Sequence, residues 1–571
     1  MCSLAAAVGA QESPSATPLK LDTRKDYVIT DLQRVVQDLM KKADVPGLSI
    51  ALIRDGQVLW QHGFGVANVD TGQPVSDNSV FEAASLSKPV FAYAVLKLVD
   101  AGKLDLDTPL TKYMPGAYVE NDDRLNLITA RIVLSHRTGF PNWRPPGQPL
   151  KINFRPGEKF SYSGEGFVYL QKVVEHITGE SLDAVMKRLV FDPLQMTSSS
   201  YVWQEKYDAL KVFGHSSIGK LGGRNKPDAA NAASSLNTTA LDYASFVVAV
   251  MNGTGLKRGT IEQMLTPQVK LDETCVNCLG ATSGKLSPSL SWGLGWGLQQ
   301  TADGLSFWHW GDNGNAKAFV VGFEKQKVGL VMFANGSNGL SIAPEIVAAA
   351  VGGKQPALAW LKYEPFDSPA RKFLKDIVAR GSEALRDYRE AKEKNSSAAI
   401  TESQMNRIGY ELLGLKRVKE AIEAFKLNVA DFPKSSNVYD SLGEAYAIAG
   451  ERELAITNYK KLVELDPGNK NGAQKVKQLE AGAAKVDPAL YDSYAGKYEA
   501  PFGMLTITRE GDRLFGAAGD ESKEEMIPQS ATLFNVPGVG VQVTFVKAQN
   551  GTVTHLIVRK NGQETEAKKI Q

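Results

Sequence analysis

The pattern of apolar residues changes twice along this chain, and these changes constrain its fold more than any single motif does. Residues 25–355 mix strand-like, helix-like and glycine-rich stretches, residues 365–481 have the pattern of charged helices, and residues 487–571 alternate apolar and polar residues between turns. A chain of 571 residues also exceeds the size that one hydrophobic core fills. We therefore predict three domains, at 25–355, 365–481 and 487–571, after a leader over residues 1–24.

The composition is that of an ordinary globular protein. Hydrophobic residues make up 43% of the chain, charged residues make up 22%, and the net charge is +2. This balance shows no excess of basic residues for nucleic acid or an anionic membrane, and no apolar run is long enough to span a bilayer. We therefore expect no nucleic-acid partner and no membrane span.

The first ten residues are apolar and rich in small side chains, and Val8-Gly9-Ala10 resembles a cleavage site. The basic segment that opens a signal peptide is missing, so two interpretations stay open: a shortened export signal and a disordered leader. The first interpretation predicts a periplasmic or secreted protein.

The chain has three cysteines, Cys2, Cys275 and Cys278. A zinc site would need a second pair of ligands, and no histidine or cysteine lies close in sequence to the last two. A redox site would need a strand followed by a helix, whereas the neighbouring residues indicate a loop. We favour a small surface disulfide that forms if the protein is exported. We predict no metal site and no cofactor.

A repeat of 34 residues organises the helical section. This offset relates Pro433 to Pro467, Gly409 to Gly443, and three further pairs, which are Ala421 and Ala455, Ile422 and Ile456, and Phe425 and Tyr459. The pattern resembles the tetratricopeptide repeat, in which small residues let paired helices approach. Two repeats are few for a free-standing array, so we expect one preceding helix, from residue 368 to about 394, to complete the packing. The section could bind a protein partner or mediate self-association, and we favour a spacer or docking role.

The last section has alternating segments at residues 504–508, 541–545 and 553–558. Turn sequences at residues 510–512, 550–551 and 561–562 separate strands. We predict a small antiparallel β-barrel. Its opening, residues 494–499, resembles the start of lipocalin-like barrels that are appended to serine hydrolases. Nothing in this section indicates catalysis.

A serine and a lysine three residues apart mark the strongest candidate for a reactive site. Ser85 and Lys88 stand where the sequence turns into a helix, with Pro89 in its first turn and Gly102 at its end. Positions i and i+3 share a helix face, and a lysine with a lowered pKa can act as the base for a serine nucleophile. The same spacing after Ser217 leads to glycines instead of a helix, so we assign it no role.

The residues around this pair resemble the serine β-lactamase and penicillin-recognising hydrolase superfamily. The similarity rests on residues 81–88 and 98–104 and on four further segments in the same order, at 45–47, 134–139, 160–164 and 308–312. It covers about residues 30–352. It is nearest to the class C-like branch, with its DD-peptidases, D-aminopeptidases and β-lactamase-like esterases. The resemblance implies an α/β (α+β) domain with an antiparallel sheet and a helical subdomain.

By this resemblance, Tyr162 relays a proton between Ser85 and the leaving group. The family has an asparagine two residues after that tyrosine, and Gly164 stands in its place. A glycine offers no side-chain hydrogen bond to a substrate amide. The change therefore shifts the expected substrates from β-lactams toward esters or unusual peptides.

The third family motif corresponds to His309, Trp310 and Gly311. His309 could bind a substrate carboxylate or help set the charge near Tyr162. Trp310 replaces a small hydroxyl residue and implies a narrower or more apolar site. The backbone N–H of Asp312 would join that of Ser85 as the oxyanion hole. His136 lies in a loop signature of the family and is assigned a structural role. No role is assigned to the other histidines, which are His62, His176, His215 and His555.

The sequence therefore predicts a serine hydrolase that cleaves an ester or amide bond through an acyl-enzyme on Ser85. Small esters or short, unusual peptides are the favoured substrates. One alternative is a β-lactamase or a cell-wall DD-carboxypeptidase. A second alternative is a non-catalytic binding protein that retains the fold and uses its helical repeats.

Overall fold

The computed structural model of the chain describes residues 19–20 and 25–570, except for residues 117, 146–147, 281–283, 395–399, 482–485, 502, 520–522, 537–538, 549 and 561–562. The described residues divide into two compact units with a boundary between Asp367 and Ser368. The predicted cleavage site at residues 8–10, Cys2 and the predicted turn at residues 561–562 lie outside the described residues.

An antiparallel sheet forms the centre of the first unit. The strands of this unit are β1 Gly47–Arg54, β2 Gln57–Asn68, β3 Gln73–Pro74, β4 Phe81–Glu82, β5 Asn237–Thr238, β6 Val269–Asp272, β7 Leu286–Trp292, β8 Gly297–Thr301, β9 Gly304–Asp312, β10 Lys317–Phe323 and β11 Val328–Ala334. Nine of them form one sheet in the order β3-β2-β1-β11-β10-β9-β8-β7-β6. The other two, β4 and β5, pair with each other.

Helices cover both faces of this sheet. They are α1 Lys25–Ala43, α2 Ser87–Asp100, α3 Ala130–Leu134, α4 Gly164–Thr178, α5 Leu182–Met186, α6 Tyr207–Leu210, α7 Ala240–Asn252, α8 Arg258–Met264, α9 Ala343–Ala350 and α10 Pro356–Leu361. Successive side chains of a strand point to opposite faces. On β1, Leu48 and Ile50 share a core with α1 and α9, whereas Ala51 and Ile53 share a core with α2 and α7. Burial on both faces explains why β1 is a nearly unbroken apolar run.

The described part of the second unit begins with seven helices, each packed against a neighbour in sequence, followed by one short helix before the barrel. They are α11 Pro369–Arg380, α12 Ser382–Glu393, α13 Glu402–Gly414, α14 Val418–Asp431, α15 Ser436–Ile448, α16 Arg452–Leu465, α17 Lys470–Ala481 and α18 Tyr491–Tyr494. Among the helices that the structure describes, none is long and apolar enough to cross a membrane.

The 34-residue offset has a packing explanation in these pairs. A Cβ atom on Gly409 would lie 2.3 Å from the ring of Phe425, and one on Gly443 would lie 3.1 Å from the ring of Tyr459. Both rings are buried. Each glycine therefore lets an aromatic ring of the partner helix pack directly against the backbone, which requires the same two residue types at the same offset.

The prediction of a single helix over residues 368–394 is wrong. Gly381 has a φ of +65°, in the left-handed region that favours glycine, and it separates α11 from α12. The two short helices still pack on the following pair. Arg417 donates hydrogen bonds to the carbonyls of Ile377 and Val378, at 3.0 and 2.7 Å.

An eight-stranded closed barrel completes the second unit. Its strands are β12 Gly496–Ala500, β13 Gly503–Glu510, β14 Arg513–Ala518, β15 Glu524–Pro528, β16 Leu533–Val536, β17 Val541–Lys547, β18 Val553–Lys560 and β19 Gln563–Lys569. The first and last strands pair, which closes the barrel. The three segments predicted to alternate lie in β13, β17 and β18. The predicted fold class, an α/β domain with an antiparallel sheet, a helical segment and a small β-barrel, is confirmed.

Candidate active site

Ser85 lies in a tight turn that joins β4 to α2. Ala84, the residue before it, has a φ of +50°. This left-handed conformation costs a residue with a Cβ atom about 1–2 kcal/mol, so the surrounding structure must hold it. The N–H of Ala83 bonds the Leu236 carbonyl at 2.8 Å, and the Ser87 hydroxyl donates to the Ala84 carbonyl at 2.6 Å. The turn is thus fixed from both sides, while Ser85 itself remains partly exposed.

The amine of Lys88 points at the candidate nucleophile. Its Nζ lies 3.1 Å from Ser85 Oγ and donates to the Ala233 carbonyl at 2.8 Å. The side chain is completely buried, and the rings of Tyr162 and Phe167 lie 4.8 and 5.8 Å from Nζ. Burial lowers the pKa of Lys88 well below its usual value. A neutral amine at this distance has a lone pair that can accept the serine proton.

Tyr162 closes the other side of the pair. Burial raises the pKa of its phenol far above the usual value, although the nearby Ser85 hydroxyl acts in the opposite direction. At normal hydrogen-bond distance the phenol has no partner among the described residues. Tyr162 therefore stays protonated at neutral pH and can donate a hydrogen bond to a reacting atom.

Two rings hold Tyr162 in place. The imidazole of His136 stacks on it with centroids 4.3 Å apart, and the indole of Trp310 lies 4.7 Å away. The Nδ1 atom of His136 accepts the backbone N–H of Ser163 at 3.0 Å, so this histidine fixes the residue that follows the tyrosine. The sequence had suggested only a structural role for His136, because nothing local indicates a stack on a residue 26 positions later.

The loop between Cys275 and Cys278 also contacts this site. The two cysteines form a disulfide, and the carbonyl of Val276 between them accepts the backbone N–H of Tyr162 at 3.0 Å. Cys278 is only 7% exposed. The predicted disulfide is present. It is not only a surface feature, because the loop that it closes also bonds the backbone of Tyr162. Among the described residues, no group of three or more histidine, cysteine, aspartate or glutamate side chains could hold a metal ion.

His309 is fully buried in strand β9. Its Nδ1 donates to the Trp310 carbonyl at 2.8 Å, since a carbonyl can only accept. Burial, assisted by the nearby Lys88 amine, lowers the pKa of His309 to about 3. A neutral, inaccessible imidazole is a poor ligand for a substrate carboxylate. Of the two roles predicted from the sequence, this geometry favours an electrostatic one beside Tyr162 and Lys88.

Gly311 lets strand β9 approach the turn of the nucleophile. A Cβ atom there would lie 2.4 Å from the carbonyl oxygen of Ala83 and 3.3 Å from the Cβ of Ala84. The next residue, Asp312, directs its carboxylate away from this contact, because Oδ1 pairs with Lys317 at 2.5 Å and Oδ2 accepts from Tyr363 at 2.7 Å. The Asp312 side chain is therefore engaged in the scaffold.

Gly164 begins helix α4 beneath an exposed tryptophan. A Cβ atom at this position would lie 2.7 Å from the ring of Trp143, which is 47% exposed. The Gly164 N–H donates to both the carbonyl and the side-chain oxygen of Asn142, each at 3.0 Å. An indole thus occupies the space that a side chain at position 164 would need. No sequence motif indicates Trp143, because its contact with Gly164 joins residues 21 positions apart that no periodicity relates.

The remaining histidines have partners or positions outside the cluster of Ser85, Lys88 and Tyr162. His62 pairs with Asp77 at 3.7 Å, His176 lies in the last turn of α4, His215 bonds the Asn335 carbonyl, and His555 belongs to the barrel. Lys220, the partner of the second serine–lysine spacing, is exposed in a loop. The structure therefore brings Ser85, Lys88 and Tyr162 together and leaves the alternative spacing outside the cluster.

The sheet, helices α2 to α9 and the cluster of Ser85, Lys88 and Tyr162 all lie in a part of the chain that matches a known family. A profile of the Beta-lactamase family matches residues 32–350, which is more than half of the chain. The protein therefore belongs to the Beta-lactamase family.

Individual relatives are distant. Penicillin-binding protein 4 of Amycolatopsis lactamdurans is 25% identical over 333 residues, which cover 54% of this chain and 85% of that protein. Esterase EstB of Burkholderia gladioli is 28% identical over 203 residues, which cover 30% of this chain and 52% of that protein. A solved octameric penicillin-binding protein homologue from Pyrococcus abyssi aligns with 95% of this chain and all of its own, at 16% identity and a TM-score of 0.47. The chain spans about 40% of the length of the first curated relatives that it matches.

Proposed function

We propose that this protein is a serine hydrolase that cleaves an ester or amide bond through an acyl-enzyme on Ser85. One observation carries the proposal: the buried Lys88 amine, with its lowered pKa, lies 3.1 Å from the Ser85 hydroxyl. A serine hydroxyl is a weak nucleophile until a neighbouring base takes its proton, and a neutral lysine amine is such a base.

In the acylation step, Ser85 Oγ attacks the substrate carbonyl while its proton passes to Lys88. The carbonyl oxygen becomes an oxyanion, which the backbone N–H groups of Ser85 and Asp312 would stabilise. The position of Gly311 supports this arrangement, because its missing side chain brings β9 against the turn of the nucleophile.

Collapse of the tetrahedral intermediate expels the leaving group, which needs a proton. The protonated Lys88 amine and the Tyr162 phenol are the two proton donors beside Ser85, and the raised pKa of Tyr162 keeps that phenol protonated. A water molecule then attacks the acyl-enzyme. The neutral Lys88 amine takes one of its protons, the bond between the acyl carbon and Ser85 Oγ breaks, and the Lys88 ammonium returns the proton to Ser85 Oγ as the acid product leaves.

The favoured substrates are small esters or short, unusual peptides. Trp143 covers Gly164 at the position where the family has an asparagine that holds a substrate amide, so this contact is replaced by an aromatic surface. A β-lactamase or DD-carboxypeptidase activity is the second candidate. It is supported by the alignment with penicillin-binding protein 4 over 85% of that protein.

A substrate panel with mass spectrometry of the intact protein tests the proposal. The panel holds a short-chain 4-nitrophenyl ester, D-amino-acid peptides and a chromogenic cephalosporin. We expect turnover of the ester or a peptide and an added acyl mass on the wild-type protein, both lost in Ser85→Ala. Full activity of Ser85→Ala would refute the mechanism, and cephalosporin turnover alone would favour the second candidate. An inert wild-type protein with no acyl adduct would favour the non-catalytic alternative.

We also propose roles for the helical segment and the barrel, and a location for the protein. The glycine–aromatic packing supports a tetratricopeptide-like spacer or docking segment, which could also bind a partner or a second copy. The closed barrel supports the lipocalin-like assignment. The disulfide between Cys275 and Cys278 supports a periplasmic or secreted location, because such bonds persist in oxidising compartments.

A further inference from the structure

A short segment beyond the family match packs against the candidate active site. The Beta-lactamase profile ends at residue 350, whereas helix α10 and the residues after it, up to Phe366, still pack on a core of the first unit. We call residues 356–366 the 356 segment. The mechanism above uses none of its side chains, and it lies outside every segment on which the family resemblance rests.

Trp360 fixes the 356 segment against strand β9. Its side chain is 6% exposed, and its indole N–H donates to the Asp272 carbonyl at 2.6 Å. The centroid of its ring lies 5.9 Å from that of Trp308 and 6.2 Å from that of Trp310, and both of these residues belong to β9. The buried ring and its hydrogen bond therefore hold the segment next to the third family motif.

Tyr363, three residues later, contacts the end of the same strand. Its phenol donates to Asp312 Oδ2 at 2.7 Å. Burial raises the pKa of this phenol far above its usual value, and the negative charge of Asp312 raises it further. The phenol is therefore protonated at neutral pH and is a donor to Asp312.

The other oxygen of the Asp312 carboxylate is held from a different side. Oδ1 accepts from the Lys317 amine at 2.5 Å and from the Gly314 N–H at 3.0 Å. The Asp312 side chain is 29% exposed. Without the phenol, the carboxylate would lose its bond at Oδ2 and would be held at Oδ1 alone.

The direction of this carboxylate matters because the proposed function uses the backbone N–H of the same residue. An oxyanion that forms beside the Asp312 N–H and the carboxylate of Asp312 carry like charges, which repel each other. A carboxylate bonded on both oxygens has its direction fixed and its charge partly compensated. Donors that stabilise an oxyanion are effective when they are held in place before the reaction.

We propose that Tyr363 is a positioning residue of the hydrolase: it holds the Asp312 carboxylate beside Lys317, which keeps the Asp312 N–H in place and the side-chain charge away from the oxyanion. This inference rests on the proposed function and adds a residue from outside the family match. The effect of Tyr363 passes through Asp312, so Tyr363 is not itself a catalytic residue.

Tyr363→Phe tests the proposal, because it removes only the hydroxyl. Loss of a hydrogen bond to a charged group costs about 10-fold or more, so kcat and kcat/KM on the ester that the wild-type protein cleaves should each fall about 10-fold. KM should stay within about 3-fold, because the oxyanion exists only in the transition state. Wild-type kcat in this variant, or a rise in KM at constant kcat, would overturn the inference and leave the hydrolase proposal standing.

Tyr410→Phe is the matched control. The Tyr410 phenol also donates to a carboxylate, Glu444 Oε2, at 2.8 Å, but it does so in the helical section. The same chemical change should leave kcat and KM at their wild-type values. A 10-fold loss of kcat in both variants would show that the effect of Tyr363→Phe is not specific to Asp312 and would overturn the inference.

A double-mutant cycle shows whether Tyr363 acts through Asp312. In an Asp312→Ala background, Tyr363→Phe should change kcat by less than about 3-fold, because no carboxylate is left to hold. A second 10-fold loss would overturn the inference. Asp312→Ala breaks the ion pair with Lys317, so a melting curve must show that this variant is folded.

Amide hydrogen exchange tests the positioning without any turnover, and so remains decisive if Asp312→Ala is unstable. Exchange of the backbone N–H groups of residues 308–312 should be at least about 3-fold faster in Tyr363→Phe than in the wild-type protein, and unchanged in Tyr410→Phe. Unchanged exchange in Tyr363→Phe would overturn the inference. Faster exchange in that variant, with a wild-type protein that cleaves no ester or peptide, would support the hold on Asp312 and contradict the hydrolase proposal.

Discussion

The contact between Gly311 and the turn of the nucleophile makes Gly311→Ala the most informative single substitution. The added Cβ would lie 2.4 Å from the carbonyl oxygen of Ala83, about 1 Å closer than an ordinary van der Waals contact. The obstacle is backbone, so a side-chain rotation cannot relieve it. Either strand β9 or the turn that carries Ser85 must move by about that distance.

A displacement of this size should reduce catalysis much more than stability. A misplacement of about 1 Å costs roughly 100-fold in rate when groups must be aligned for reaction, whereas overpacking of a core costs about 1–3 kcal/mol. We therefore expect Gly311→Ala to lose about 100-fold in kcat on the ester that the wild-type protein cleaves. Acyl-enzyme formation, followed by intact-protein mass, should slow by a similar factor. Urea unfolding should show a folded protein.

Gly259→Ala is the matched control. A Cβ atom on Gly259 would meet no atom within 4 Å, and the residue lies inside helix α8, where alanine is preferred to glycine. We expect unchanged kcat/KM and equal or slightly greater stability. Wild-type kcat/KM in Gly311→Ala would refute the argument that this glycine sets the distance between β9 and Ser85. An activity loss explained entirely by the unfolded fraction would refute it as well.

Three further predictions use the same assays. First, kcat/KM should reach its maximum by neutral pH and fall at acidic pH, because burial lowers the pKa of Lys88 well below 10.5 and only the neutral amine accepts a proton. A pH profile in which activity is already lost below pH 9, with a pKa near 10.5, would contradict this. Second, Gly164→Ala should destabilise the protein by less than about 1 kcal/mol in urea unfolding, since the half-exposed Trp143 ring can move aside. A loss of stability as large as that of Gly311→Ala would show that the Trp143 ring is rigid. Third, Cys275→Ser should lower the free energy of unfolding by up to about 2 kcal/mol without reductant, and it should lower kcat, because the loop closed by the disulfide accepts a hydrogen bond from the backbone of Tyr162. Unchanged kcat and stability would show that this loop keeps its position without the disulfide.

In the helical section, the local sequence pattern predicted the repeat correctly and failed to predict the break between α11 and α12. The sequence predicted the 34-residue repeat because each pair of helices contains the same glycine–aromatic contact between residues close in sequence, Gly409 with Phe425 and Gly443 with Tyr459. The break at Gly381 was missed because the flanking residues favour helix, and a single left-handed glycine interrupts it. Reading that glycine as a helix end would have corrected the prediction.

The amino-acid order alone identified Ser85 and Lys88, because two residues three positions apart at the start of a helix are neighbours in any fold that forms the helix. Tyr162 came from the order of motifs, that is, from resemblance. The surroundings that give these groups their chemistry depend on the tertiary structure: the stack of His136 on Tyr162 and the Trp143 ring over Gly164. Each joins segments that no periodicity relates, and burial, which shifts the pKa of Lys88, arises only when those segments pack.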